Sequence, residues 1–190
     1  IIQTHSNKKN GFELIKNEKT RYSFFTNSIS ITVLGEDYTN SSDYFKIIEN
    51  KIIKVLNKFN INELNRIAIR KVNLINLDNN EAINYFFQDY LLENIYNLPN
   101  INLIKKSISS ISLNDNGSSC NINYGLIQND IDKSKQALLD IDLFKTSATK
   151  INELIKELKI INSEILNIFY WSLKEKLIAY LENPEGEMVK

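Results

Sequence analysis

Two aspartates stand two positions apart in an otherwise apolar segment, "QALLDIDLF" at residues 136–144. In an extended strand, residues at positions i and i+2 point to the same face, so Asp140 and Asp142 would present both carboxylates on one side. With a third acid, such a pair suits a hard cation such as magnesium in a metal-dependent hydrolase or nuclease. It equally suits an arginine of this chain or of a partner.

The apolar residues of this segment favour a solvated or ion-paired role for the aspartates over a partner contact or a metal site. Leu139, Ile141 and Leu143 alternate with the two aspartates and predict a core-facing row. The aspartates then fall on the opposite face, where a metal is not required. We predict no resident metal, and the metal-binding role of Asp140 and Asp142 stays as the alternative.

Arg70, in the segment "RIAIRKVNLI", is the predicted partner of the aspartates. Both faces of this segment are mostly apolar, which predicts a central strand covered on both sides. A buried guanidinium needs a carboxylate, and Asp140 or Asp142 across the sheet would supply it. Strict alternation places Arg70 and Asn73 on opposite faces of this strand.

The chain offers little for nucleophilic catalysis. Its one histidine, His5, lies in an N-terminal segment that we expect to be flexible, so no histidine pairs with a serine or cysteine in the core. The one cysteine, Cys120, is expected to be a half-buried strand residue. The five glycines do not occur at phosphate-loop or dinucleotide-binding spacing. We therefore predict no catalytic residue and no cofactor.

The charge balance argues against nucleic acid and membrane as partners. Lys plus Arg and Asp plus Glu number 23 each, which gives a formal net charge of zero. A local group of Lys105, Lys106, Lys133 and Lys135 keeps nucleic-acid binding as a second alternative. No apolar run approaches the roughly 20 residues that a membrane helix needs. The first residues, "IIQTHSNKKN", show no signal peptide, so a cytoplasmic location is expected.

The periodicity of the apolar residues predicts the elements. Period-two segments predict strands at 11–16, 21–35, 64–77, 101–113, 119–128 and 135–145. Three-four spacing predicts helices at 41–59, capped by Ser41, Ser42 or Asp43, at 80–96 and at 151–181. The order predicts an α+β fold: an antiparallel or mixed sheet of about six strands, helices on one face and a long C-terminal helix.

We expect a single domain over residues 1–183, with subdomains 11–78 and 79–183 as the alternative, and a tail at 184–190. The chain begins at Ile1 rather than Met, so we expect that an N-terminal segment precedes it. The long C-terminal helix would be about 45 Å long. Tyr170, Trp171 and Ile178 fall outside its main apolar stripe and predict a contact with a second copy.

Two segments resemble motifs of a known family. "RIAIRKVNLI" resembles a strand motif written Leu-Arg-Tyr-Ile-Asn-Arg-Ile, and "LLDIDLF" resembles a Leu-Asp-Ile-Asp strand that precedes a closing helix. The family is an uncharacterised, sporadically distributed prokaryotic one with no agreed activity, and its distribution is typical of defence-associated genes. The resemblance implies a fold and matches Arg70, Asn73, Asp140 and Asp142 to motif positions. The chain departs from the first motif at residues 71, 72 and 74.

Together these observations predict a non-enzymatic binding module, regulatory or accessory in role. Its partner would be a protein, a second copy of the chain or a small ligand. The candidate contact residues are Arg70, Asn73, Asp140 and Asp142.

Overall fold

The computed structural model describes residues 3–5, 11–17, 19–35, 40–77, 86–96, 104–115, 117–129 and 133–182. The chain divides into two compact units, an N-terminal unit of Ile1–Ile52 and a C-terminal unit of Ile53–Lys190. The sequence placed its alternative division later, between residues 78 and 79. The predicted tail at 184–190 lies outside the described residues. The fold is α+β with several antiparallel sheets and a C-terminal helix, as predicted.

The N-terminal unit contains an antiparallel sheet in which each strand pairs with the next along the chain. Its four strands are β1 (Gln3–His5), β2 (Gly11–Asn17), β3 (Thr20–Phe25) and β4 (Ser28–Val33). The prediction of one strand over 21–35 is wrong, because a turn at Thr26 and Asn27 divides it. Asparagine favours such turns, and this signal was missed. His5, expected in a flexible segment, pairs with Glu13 in the sheet.

The predicted helix over 41–59 is present as three consecutive helical segments. These are α1 (Ser41–Ile47), a π-helical segment (Ile48–Ile52) and α2 (Ile53–Lys58). Asn40 is the N-cap, and its side-chain oxygen accepts a hydrogen bond from the Asp43 backbone N–H at 3.0 Å. The prediction of Ser41, Ser42 or Asp43 as the N-cap is therefore wrong, because the N-cap precedes all three residues.

The C-terminal unit is built on a four-stranded antiparallel sheet, called the main sheet below. After β5 (Glu63–Leu64), its strands are β6 (Ile67–Leu77), β7 (Lys106–Asp115), β8 (Ser118–Gln128) and β9 (Lys135–Lys145). Their spatial order is β6-β9-β8-β7. β10 (Thr149–Lys150) pairs with β5 in a separate two-stranded sheet. The prediction that β6 is a central strand is wrong, since β6 lies at an edge of the main sheet.

One face of the main sheet, the inner face, forms the core of this unit. Helix α3 (Asp89–Tyr96) packs against β8, and α4 (Leu154–Ser172) packs against β6 and β9. Alternate residues of β8 and β9 are buried there, as the period-two pattern predicts. The residues of β9 that are buried on the inner face are Ala137, Leu139, Ile141 and Leu143. Those of α4 include Leu154, Leu158, Ile161 and Ile165. The opposite face is called the open face.

The prediction of one helix over 151–181 is wrong. The chain forms α4 and then α5 (Glu175–Glu182), with extended backbone at Leu173, where φ is −101° and ψ is 152°. Leu173 is fully buried and forms a β-bridge with Phe87. The Lys174 N–H donates to the Phe86 carbonyl at 3.0 Å. These tertiary backbone bonds replace helical hydrogen bonds. The helix therefore ends at Leu173 although no proline or glycine is present there.

The predicted helix over 80–96 begins later than expected. Its first described helical residue is Asp89, because Phe87 pairs with Leu173, and residues 80–85 lie outside the described part. None of the helices in the described ranges has the length and apolar character needed to cross a membrane.

Candidate functional site

The strand register brings polar side chains from four strands together on the open face. Arg70 of β6 lies opposite Asp142 of β9, and Asn121 of β8 lies on the other side of Asp142. Asn123 of β8 lies beside Asp140 in the neighbouring row. The rows continue into β7, where the residues opposite the two asparagines are Ser112 and Ser110. The sheet therefore aligns one polar row across all four strands and a second across β9, β8 and β7, where Val72 is the β6 residue.

Arg70 and Asp140 form a bidentate ion pair. Arg70 Nε donates to Asp140 Oδ1 at 2.8 Å, and Arg70 Nη2 donates to Oδ2 at 2.7 Å. The pair is diagonal, since Asp140 lies directly opposite Val72. The Asp140 side chain is 8% exposed and that of Arg70 is 61% exposed. The predicted half-buried ion pair is present, with Asp140 as its buried member. The expected covering of this strand on both faces is wrong, because β6 is an edge strand with one open face.

This ion pair shifts the ionisation of both groups. The hydrogen bonds from Arg70 hold the pKa of Asp140 below its ordinary value, although burial of the carboxyl opposes the effect. The same hydrogen bonds and the charge of Asp140 raise the pKa of Arg70. Both groups are therefore charged at neutral pH, and the acid is the buried member.

The ion pair continues into a chain of hydrogen bonds that crosses the main sheet. Asn123 Nδ2 donates to Asp140 Oδ2 at 3.3 Å, and Ser110 Oγ donates to Asn123 Oδ1 at 2.6 Å. Arg70, Asp140, Asn123 and Ser110 are called the cross-sheet network below. Each of the four strands contributes one of its members. Both carboxylate oxygens of Asp140 accept from Arg70, so a metal ion would have to displace a charged donor.

Asp142 has different surroundings although it shares the open face. Its side chain is 27% exposed, and its closest cation in the described structure is Arg66, whose Nη2 lies 3.8 Å from Oδ2. The guanidinium of Arg66 also lies over the Phe144 ring, 4.4 Å from the centroid. Among the described residues, no hydrogen-bond donor reaches Asp142. Its carboxylate therefore keeps its capacity to accept hydrogen bonds from a partner.

Asn121, next to Asp142, offers the complementary group. Its Oδ1 accepts from Ser112 Oγ at 2.9 Å, which directs the amide NH2 away from that hydroxyl. Within the described chain this NH2 has no acceptor. Asp142 and Asn121, called the acceptor–donor pair below, thus present one acceptor and one donor side by side. Within the described ranges, no three His, Cys, Asp or Glu residues are grouped to hold a metal ion.

The remaining predicted contact residue, Asn73, does not join this site. The register of β6 with β9 is uninterrupted, so Asn73 faces the inner side, as alternation predicts. Its Nδ2 donates to the Leu139 carbonyl at 3.3 Å. On the open face of β6, Val72 and Leu74 are 52% and 51% exposed, and they border the polar rows with apolar surface.

Sequence reasoning missed Asn121, Asn123, Ser110 and Ser112. A signal was available, because the hairpin turn beside Gly117 fixes the register of β7 with β8. Aligning "SISSISL" against "CNINYG" in that register places Ser110 opposite Asn123 and Ser112 opposite Asn121.

The predicted interface residues lie near the break between α4 and α5. Tyr170 and Trp171 are exposed, and Ile178 is partly buried. The Tyr90 ring lies 5.2 Å from the Trp171 ring, and its hydroxyl donates to the Trp171 carbonyl at 2.7 Å. The four lysines of the second alternative come to one end of the main sheet, where Lys135 pairs with Gln128 and Lys105 accepts from the Gln128 N–H.

Cys120 is buried on the inner face, deeper than the half-buried position expected. Burial, assisted by the charges of Asp142 and Glu164, raises the pKa of its thiol to about 11. The thiol is therefore protonated at neutral pH and is a poor nucleophile.

Comparison of the chain with protein-family models, with curated proteins and with solved structures finds no match.

Proposed function

We propose that the chain is a non-enzymatic binding module, regulatory or accessory in role, that binds a partner protein through the open face of the main sheet. The acceptor–donor pair supports this proposal most directly. Asp142 has an ion-pair partner, Arg66, at 3.8 Å but accepts no hydrogen bond from the described residues, and the Asn121 amide NH2 donates none to them. An acceptor and a donor thus lie next to each other on a face that the cross-sheet network holds in place. A charged acceptor in this position favours a partner that carries arginine or lysine.

The cross-sheet network favours binding because it orders the surface in advance. Asp140 is buried and receives hydrogen bonds from Arg70 and Asn123, so these side chains are already fixed before a partner arrives. Side chains that are fixed in advance reduce the entropy lost on association. Next to the row of Asp140 and Asn123 runs an apolar row, in which Leu138 and Gly125 lie between Leu74 and Ile108. Leu74 and Ile108 are exposed and add apolar area to the surface. A polar centre with apolar surface beside it is common in protein interfaces.

A protein fits this surface better than the other partners do. Small ligands bind mostly in concave sites, whereas these residues spread across one face of an open sheet. A metal-dependent hydrolase is disfavoured because Arg70 occupies both oxygens of Asp140. The zero net charge disfavours nucleic acid. A cytoplasmic location, and a context of defence-associated genes, are part of the proposal and rest on the composition and the family resemblance.

Site-specific photocrosslinking in the native host tests this function. A benzophenone amino acid is introduced at Ile108 or Ser112, both exposed on the open face, and at the matched control Ile160, which is exposed on α4. We expect one discrete adduct heavier than the 22.1 kDa chain from positions 108 and 112. The adduct should be absent from position 160 and lost in Asp142→Ala. No adduct from the open face, equal adducts from all three positions, or an adduct containing only this chain would contradict the proposal.

A further inference from the structure

The outer edge of β6 has features of a strand that pairs with another strand. In the described part of the chain, β6 is hydrogen-bonded to β9 alone, so alternate N–H and C=O groups on its other side have no strand partner. Edge strands are usually protected by shortness, bulges, proline or charged side chains. β6 runs for 11 residues in uninterrupted register with β9, and its charged residues, Arg70 and Lys71, lie in its first half, so residues 72–77 carry no charge.

The side chains of β6 suit pairing with a second copy of the same strand. If two copies run antiparallel about a two-fold axis at Asn73, Val72 of one copy lies opposite Leu74 of the other. Both residues are about half exposed. The two Val72 and two Leu74 side chains of the dimer would lie side by side around the two-fold axis. Arg70 then lies opposite residue 76 and Lys71 opposite residue 75, which are Asn and Ile. No like charges oppose each other in this register.

Helix α4 supports the same arrangement on the inner face. α4 packs over β6 and β9, and its Glu157 accepts from Lys145 Nζ of β9 at 2.6 Å. Leu166 is nine positions further along α4, about 180° around the helix, and therefore lies on the side towards the free edge of β6. Leu166 is 39% exposed.

The spacing of strands and helices agrees with this geometry. Strands lie about 4.8 Å apart, so a helix centred between β6 and β9 would lie about 10 Å from its symmetry mate across a β6–β6 contact. Helices pack at about 8–10 Å. Pairing of the two strands would therefore also bring the exposed Leu166 surfaces of the two helices towards each other.

We propose that two copies of this chain form a symmetric dimer by antiparallel pairing of β6 with β6, which joins the two main sheets into one eight-stranded sheet. This dimer uses a different surface from the predicted contact at Tyr170, Trp171 and Ile178. It does not depend on the partner protein proposed above, because Ile108 and Ser112 are on β7, at the opposite edge of the sheet.

Light scattering during size-exclusion chromatography at about 100 μM tests the dimer. We expect twice the mass of the 22.1 kDa chain for the unmodified protein and for the control Ile160→Lys. The double variant Val72→Lys/Leu74→Lys should be monomeric, since lysines would oppose each other across the axis. Circular dichroism confirms that the variant is folded. A monomeric unmodified protein, or a dimer that survives the double variant but is lost in Trp171→Lys, would overturn the proposal.

Disulfide formation tests the register. Chains carrying Val72→Cys are mixed with chains carrying Leu74→Cys under mild oxidation. The proposed register predicts that crossed disulfides between the two variants form at least several-fold faster than disulfides within either variant alone. Equal rates for the crossed and uncrossed pairs would contradict this register and with it the axis at Asn73.

Discussion

Asp140 and Asp142 face the same side of β9, yet their surroundings differ. Asp140 is almost completely buried beneath Arg70 and Asn123, whereas Asp142 is partly exposed and 3.8 Å from the nearest guanidinium. At the scale of single residues, Asp140 is therefore suited to organise the open face and Asp142 to contact a partner. The two roles can be separated by substitution, because neither residue forms a hydrogen bond with the other in the described structure.

Arg70→Ala should destabilise the protein measurably. The substitution leaves Asp140 buried with Asn123 as its remaining side-chain donor, and a buried polar group that loses a partner costs about 1–3 kcal/mol. Arg66→Ala is the matched control, because Arg66 is exposed and its guanidinium is 3.8 Å from Asp142, which is too far for a hydrogen bond. It should change the free energy of unfolding by no more than about 0.5 kcal/mol. Urea unfolding followed by circular dichroism measures both, and equal losses would contradict the assigned role of Asp140.

The lowered pKa of Asp140 predicts a loss of stability in acid. Because folding favours the ionised carboxylate, its contribution is fully present above the unfolded pKa of about 3.9 and is lost as the pH falls through the lower folded pKa. We expect Asp140→Asn to flatten the decrease in unfolding free energy below about pH 4. Asp115→Asn, which removes an exposed carboxylate, serves as control. An unchanged acid slope in Asp140→Asn would show that this carboxylate is not stabilised by folding.

At the scale of elements, the break between α4 and α5 is held by tertiary contacts. Leu173→Ala should cost about 2–5 kcal/mol, because it removes a fully buried side chain beside Phe87. The matched control is Leu166→Ala, an exposed position on α4 that should cost less than about 1 kcal/mol. Thermal and urea unfolding of the two variants test the assignment. Similar costs would contradict the burial of Leu173 at this break.

The elements also show which features a sequence can predict. The bounds of β9 were predicted to the residue, because Leu139, Ile141 and Leu143 alternate with two aspartates and a lysine stands at each end of the segment. The helix break at Leu173 gave no local signal, since it depends on backbone bonds to Phe86 and Phe87 far away in the chain. Likewise, the apolar residues of β6 suggested a central strand, but position within a sheet depends on pairings between distant segments.

The candidate site was predictable in part for the same reason. The Arg70–Asp140 pair followed from two residues whose types required each other, although the choice of Asp140 needed the side-chain geometry, because the register places Asp142 opposite Arg70. Asn121 and Asn123 were missed because asparagine is abundant throughout the chain and no single one stands out. Their roles depend on hydrogen bonds between neighbouring strands, which appear only when the main sheet is assembled.

At the scale of the whole molecule, the C-terminal unit contains every residue of the proposed binding surface. The division between the units falls within the helical stretch of α1, the π-helical segment and α2, where the apolar periodicity continues without interruption. The sequence therefore gave no boundary signal at Ile52. The proposed function and the proposed dimer both belong to the main sheet: the first is centred on β8 and β9, the second on the edge of β6, and Leu74 borders both.

The most direct test of these assignments compares Asp140→Asn with Asp142→Asn in two measurements. Each variant, carrying the photocrosslinking amino acid at Ile108, is tested for unfolding free energy and for the partner adduct. We predict that Asp140→Asn loses about 1–3 kcal/mol, whereas Asp142→Asn stays within about 0.5 kcal/mol of the parent and loses the adduct. If Asp142→Asn keeps the full adduct, or if Asp140→Asn leaves stability unchanged, the division of roles between the two aspartates is contradicted.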